Sequence, residues 1–210
     1  MSEPMTLLKV RGIEKTSPSF RAKLVTVAEE LGINPDWLAT VMAFESMGTF
    51  SASVQNPFTK ATGLIQFMPA TAKRLGTTID ALKAMTSEAQ LDYVKAYFEP
   101  MKGRLKSLED TYLMVFFPKF IGQPSSTVVF KAGDIGYKQN AGFDPRKTGV
   151  ITVGAITSTI RGIRDAARGA RIVVDMALGV ATRHPFPTVA IVGGLVAGAG
   201  IIAVLASRKK

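Results

Sequence analysis

Glu45 is the one acidic residue in the apolar run WLATVMAFESM, with Trp37, Leu38, Val41 and Met42 in the two turns before it. A carboxyl near the end of such a helix is partly withdrawn from water. Desolvation disfavours the charged form, so the pKa moves towards the range in which the group can donate a proton at neutral pH. The same spacing also suits a glutamate on the solvent side of an amphipathic helix. No Asp or Glu occurs from Ser46 to Ile79, and that stretch is rich in Ser, Thr, Asn, Gly and Gln. A hydrogen-bonding loop around a single acid suits a polar, uncharged ligand such as a sugar.

Composition removes several other chemistries. The chain has 210 residues, no cysteine and one histidine, His184. Thiol nucleophiles, Ser-His triads and multi-histidine metal sites are excluded. The stretch DPRKTGVIT from Asp144 has the outline of a calcium loop, but Arg146 and Thr148 stand where ligand oxygens are needed, so neither a metal nor another cofactor is expected. The net charge of +10 is not interleaved with aromatic stacking positions, so no specific nucleic-acid partner is expected. An anionic cell-wall polymer or membrane explains the charge as well.

The elements that must position Glu45 read as helices. Phe20, Leu24, Val27 and Leu31 form one apolar stripe ending at Gly32, and Asn34-Pro35 then offers an N-cap with proline at the first helical position of the Glu45 helix. Another helix starts near Pro69 and stops at Gly76. A longer one follows Ser87, where Ser87 and Gln90 have capping-box spacing and Leu91, Val94, Phe98, Met101 and Leu105 continue the stripe. Strand-like text is confined to Ser126 to Phe130.

The segment AFESMGTFSASVQNPFTKATGLIQFMPATAKRLG resembles the superfamily of soluble lytic transglycosylases and goose-type lysozymes. Its pattern there is a Glu-Ser pair ending a helix, a polar loop with Asn or Ser, a Gly-Leu-(Met or Ile)-Gln turn, and Met-Pro-x-Thr-Ala opening the next helix. Glu45-Ser46, Asn56, Ala61 to Gln66 and Met68 to Ala72 carry the match. A looser likeness runs through Tyr112-Leu113 and Pro118 to YKQNAGFD, where Tyr137, Gln139 and Asn140 resemble the third motif. Lys60 stands where the family often has glycine, and the third motif reads Tyr-x-Gln-Asn rather than Ala-Tyr-Asn. The wording of the loop is most similar to transglycosylase domains of phage virion proteins.

The resemblance implies a lysozyme-like, mainly α-helical catalytic domain and a peptidoglycan substrate. It implies that Glu45 protonates the bond between N-acetylmuramic acid and N-acetylglucosamine, then takes the muramyl 6-hydroxyl proton as a 1,6-anhydro ring closes. The substrate's own N-acetyl group replaces a second carboxylate. On the same resemblance Ser46, Asn56, Gln66, Met68, Tyr112, Tyr137, Gln139 and Asn140 line or support the substrate site, with Phe67 beside Met68 as an apolar floor. A hydrolysing muramidase, or a glycan-binding structural protein without activity, is the alternative.

The C-terminal third carries a different signal. Val189 to Ala206 is eighteen residues without a charge, bracketed by Arg183-His184 and by Arg208 to Lys210. A helix of that length reaches about 27 Å, close to the roughly 30 Å of a hydrocarbon core, so a single transmembrane helix is expected at 186–207. A Gly-rich buried helix or strand pair is the soluble alternative. Gly194 and Gly198 have the G-x-x-x-G spacing of close helix self-association. Upstream, Ile156, Ile160, Ile163, Ala167, Ala170 and Val174 recur at helical spacing with Arg161, Arg164, Arg168 and Arg171 on an adjoining stripe, as in a basic amphipathic helix on an anionic membrane. The expected organisation is an N-terminal arm over 1–18, the catalytic domain over 19–150, an amphipathic helical linker over 151–185, the span and a basic tail over 208–210. The N-terminus does not read as a cleavable signal peptide. A membrane-anchored phage virion protein, opening the host wall from the periplasmic side, is the context this pattern suggests. Acting alone, residues 155–210 would resemble a holin-like permeabilising segment.

Overall fold

A computed structural model describes residues 4–178. Strand β1, Thr6–Leu8, leads into helix α1, Pro18–Leu31. Ser17 caps α1 by accepting from the Phe20 N–H at 3.0 Å, and Gly32 ends it in a left-handed conformation. Helix α2, Pro35–Glu45, starts as expected, with the Asn34 side chain accepting from the Asp36 N–H. Then come α3, Pro69–Arg74; α4, Ile79–Ala84; α5, Ser87–Phe98; and α6, Leu108–Phe116. The remainder is β2, Val128–Lys131; α7, Ile135–Gln139; β3, Val150–Thr152; α8, Val153–Ala166; and β4, Arg171–Val173.

The mainly helical class is as the sequence indicates, with α2 at its centre. Six consecutive residues, Leu38 to Ala43, are buried in it. A helix buried on every face needs packing partners all round. Leu38 and Met42 join a core with Phe20, Leu24 and Leu31 of α1 and Leu91, Val94 and Phe98 of α5. Val41 joins a second core with Leu108, Tyr112 and Leu113 of α6 and Ile156 and Ile160 of α8. Each such side chain, fully buried, contributes roughly 1.5–3 kcal/mol. The last residue of α2 is thus held from two sides.

Two details of α5 differ from the sequence reading. Its N-cap is Thr86, which accepts from the Ala89 N–H at 3.1 Å, whereas the Ser87 hydroxyl donates to Phe50 O at 2.6 Å and Gln90 turns into the core. The helix ends at Phe98 in a 3₁₀ turn over Glu99–Met101, where Pro100 interrupts the pattern. Met101 and Leu105 are buried beyond that break.

The apolar stripe of α8 is turned inward. Ile156 and Ile160 are fully buried, and Arg161 pairs with Glu109 of α6 at 3.0 Å, so these residues cover the protein and not a membrane surface. Beyond α8, β4 pairs antiparallel with β1, with Leu7 opposite Ile172. Arg171 ties both strands to α2. Its guanidinium reaches Asp36 Oδ2 at 2.9 Å and Thr6 O at 3.0 Å, while Asp36 Oδ1 accepts from the Leu8 N–H at 2.7 Å. Leu7, Val10 and Ile13, expected in a free arm, lie in the first core. Among the described residues no helix is long and apolar enough to cross a membrane. The span expected at 186–207 and the Gly194/Gly198 pair lie outside the described residues.

Candidate active site

Glu45 closes α2, and the chain turns sharply after it. Ser46, the C-cap, is fully buried; its hydroxyl donates to Met42 O at 2.7 Å and accepts from the Phe50 N–H at 3.0 Å. Its role is to fold the turn back onto the helix. Met47 and Gly48 follow with φ of 56° and 75°. A Cβ on Gly12 would lie 1.8 Å from Gly48 O, so only glycine lets the N-terminal segment pass so close to this turn.

Residues 51–67 form the polar loop. Thr62 bridges to both Gln55 and Phe67. Asn56 Oδ1 accepts from the Phe58 N–H at 2.9 Å and the Thr59 N–H at 3.1 Å, an Asx turn that shapes the loop tip. Gln66 takes a left-handed φ of 53°, and its Nε2 donates to Gly63 O at 3.1 Å. Lys60 is also left-handed, at φ 61°, which explains why glycine suits that position. Met68 is half-buried at the N-cap of α3, and Phe67 is a core residue, edge-on to Tyr97 with ring centroids 6.2 Å apart.

The residue that holds this loop is Gln90 of α5, fully buried. Its Oε1 accepts from the Leu64 N–H at 2.7 Å, and its Nε2 donates to Ala52 O at 3.1 Å and Leu82 O at 3.0 Å. Sequence reading gave Gln90 a capping role and missed this one. Its signal was present: Gln90 occupies the same face as Val94 and Phe98, where a polar side chain must find buried partners.

Glu45 is half-buried, with protein packed closely around its carboxyl and a part still open to solvent. No hydrogen bond to that carboxyl occurs among the described residues. Burial alone pushes its pKa up to about 8. At neutral pH it is therefore mostly protonated. Two tyrosines sense its charge. Tyr97 is pushed up to about 12, first by burial, with Arg74 lowering and Glu45 raising it. Tyr112 is raised well above 10, again by burial first and then by Glu45. Tyr112 has no exposed surface, stacks on Phe116 and meets Phe44 edge-on at 5.4 Å.

The YKQN segment lies on α7 and just after it. The Tyr137 hydroxyl donates to Asp144 Oδ2 at 2.8 Å and is thereby held protonated, its pKa raised. Asp144, missed as a partner, also accepts from Thr148 N–H, Thr148 Oγ1 and Gly149 N–H. The Thr148 backbone bond leads in holding its pKa down at about 2, the Tyr137 and Gly149 bonds adding to it against the opposing effect of burial. Asn140 is buried; its Nδ2 donates to Gly136 O at 2.9 Å and its Oδ1 is without a partner. Gln139 is exposed. Of these residues the structure draws Tyr112 to the side of Glu45, while Ser46, Asn56, Gln66 and Tyr137 use their polar groups to shape the protein.

A depression of about 370 Å³ lies between Asn34, Asp36, Trp37, Arg164 and Gly169. It sits at the N-terminal end of α2, about 15 Å along the helix from Glu45. Compared with known families, residues 26–110 match the model described as Transglycosylase SLT domain. That segment contains Glu45, Ser46, Asn56, Gln66 and Met68 and ends before Tyr112 and the YKQN segment. No curated protein and no solved structure matches the chain.

Proposed function

We propose that this chain, whose residues 26–110 belong to the transglycosylase SLT domain family, cleaves the β-1,4 bond between N-acetylmuramic acid and N-acetylglucosamine with Glu45 as its acid and leaves a 1,6-anhydro end. Members of that family are lytic transglycosylases that cleave peptidoglycan. The observation that carries the finer reading is the isolation of Glu45. It is an acid raised to about 8 by burial, with no second carboxylate among the causes of its shift.

In the proposed sequence Glu45 donates its proton to the glycosidic oxygen as the C1–O bond breaks. The muramyl N-acetyl oxygen bonds to C1 in its place, so no enzyme nucleophile is required. Glu45, now a carboxylate, accepts the proton of the muramyl 6-hydroxyl while that oxygen bonds to C1 and releases the acetamido oxygen. The proton returns to Glu45 and no water is consumed. Asn140 is assigned to the substrate's N-acetyl group on the likeness of its segment to the family's third motif. Gln66, Met68 and Gln139 are assigned to contact with the glycan, and Ser46, Asn56 and Tyr137 to holding the loops that carry those contacts.

The membrane span at 186–207 and delivery within a phage particle rest on the sequence pattern. They extend the reading to a wall-opening protein carried on a membrane. The test of the site is loss of turbidity of purified peptidoglycan with the full chain and with Glu45→Gln. Clearing by the wild type and none by the variant is expected. Equal clearing by both would remove Glu45 from the chemistry.

A further inference from the structure

Phe58 is the most exposed large apolar side chain among the described residues, at 83%. It stands at the tip of the polar loop that leaves the Glu45 helix, and the backbone of that tip is firmly tied. The Asn56 N–H donates to Ala61 O at 2.8 Å and its carbonyl accepts from the Lys60 N–H at 3.0 Å, besides the two bonds to its side chain. Pro57 restricts the backbone just before the ring. Below the tip the Gly63 N–H donates to Val54 O at 2.7 Å, and buried Gln90 holds the base of the loop. A phenyl ring kept in water on so firm a support forgoes the roughly 1.5–3 kcal/mol that burial brings. Just beyond it Lys60 is exposed, in a left-handed conformation that glycine would adopt without strain. An ammonium kept at a strained position points to a use for that side chain. We infer that Phe58 and Lys60 are outer substrate contacts: the Phe58 ring packs on the face of a sugar of the glycan strand, and the Lys60 ammonium meets a carboxylate of the adjoining muramyl unit. The inference rests on the peptidoglycan reading above and adds to it a preference for muramyl strands over neutral β-1,4 glycans.

The chemistry of the strand matches both side chains. A β-1,4-linked pyranose carries its polar groups around the ring edge and its axial C–H bonds on the two faces. Those hydrogens are slightly positive and the face of a phenyl ring is negative, so the two surfaces attract as well as exclude water. A ring presented on a rigid loop pays little ordering entropy on contact. Each muramyl unit also bears a lactyl group that ends in an acid or in a peptide with its own carboxylates. Lys60 is not neutralised from within its loop, because no Asp or Glu occurs from Ser46 to Ile79. An exposed pair of this kind adds little affinity, but it separates a charged strand from a neutral one. The substrate is a polymer, so a contact at the loop tip engages the same strand whose bond Glu45 meets.

The test is titration calorimetry of the full chain carrying Glu45→Gln, so that strands stay whole. The ligands are uncrosslinked muramyl glycan strands and chitohexaose, a neutral β-1,4 oligosaccharide. Adding Phe58→Ala is expected to weaken binding of both by about tenfold, and Phe58→Trp to restore it. Adding Lys60→Gly is expected to weaken the muramyl strands by about threefold and to leave chitohexaose unchanged. Phe58 is exposed and Lys60→Gly relieves strain, so both variants should fold, which urea unfolding checks. Unchanged binding in Phe58→Ala overturns the assignment, and no effect of Lys60→Gly, or an equal loss for the two ligands, removes the carboxylate contact. Weaker binding of Phe58→Ala to anionic phospholipid vesicles, with glycan binding intact, would also overturn it and make the tip a membrane contact. Clearing of peptidoglycan is a separate readout. Clearing by the wild type with glycan binding indifferent to Phe58 sinks the tip alone, whereas Phe58-dependent binding without clearing sinks the cleavage alone.

Discussion

Gln90 and Gly63 are in contact where a side chain on Gly63 would not fit: a Cβ there would fall 2.1 Å from Gln90 Oε1. The buried amide of α5 fills that space and holds the turn that follows the polar loop. Gln90→Ala would strand the Leu64 N–H and the Ala52 carbonyl in the interior and leave the Leu82 carbonyl with the Met85 N–H alone. A loss of about 2–4 kcal/mol is expected in urea unfolding. Gly63→Ala should cost at least as much, because its φ of 83° adds strain to the clash.

Glu45 should make the protein less stable as the pH rises. Its folded pKa of about 8 lies above the ordinary 4.5, so its contribution to stability is fully present below pH 4.5 and is lost as the pH rises through 8. Glu45→Gln removes that dependence. Thermal unfolding should show the variant more stable than wild type by about 4 kcal/mol at pH 8, with the difference shrinking towards pH 5. A constant difference across that range would place the carboxyl in a more aqueous setting than the one described.

Asp144 works in the opposite sense. Its pKa is depressed to about 2, so its contribution is present above the ordinary 3.8 and is lost as the pH falls through 2. The Thr148 and Gly149 amide resonances, whose N–H groups donate to this carboxylate, should titrate together with a midpoint near 2. In Asp144→Asn that transition should be absent.

Lys60 carries a left-handed backbone without being glycine. Relief of that strain exceeds the extra flexibility that glycine gives the unfolded chain, so Lys60→Gly should stabilise the protein by about 0.5 kcal/mol. Matched urea titrations of the two proteins measure the difference.

What the sequence revealed was mostly local. Asn34-Pro35 and Gly32 announce helix ends through capping chemistry that needs no tertiary partner, and the structure ends α1 and starts α2 accordingly. The lone Glu45 was legible because an acid inside an apolar run is conspicuous. Tertiary use of polar groups was not. Gln90, Asp144 and the Asp36–Arg171 pair act across separations that periodicity does not encode. The apolar stripe was read as helical through Val174, but only its first part lies in α8, which ends at Ala166 before β4; periodicity also does not say whether lipid or protein covers that face. Here Val41 and Tyr112 do.

The central claim is that Glu45 serves as acid and then base without an activated water. Mass spectrometry of the muropeptides released from purified peptidoglycan by the full chain, beside Glu45→Gln, tests it most directly. Products ending in 1,6-anhydro-N-acetylmuramic acid from the wild type, and none from the variant, are expected. Reducing ends, heavier by one water, would contradict the claim and make the protein a hydrolase.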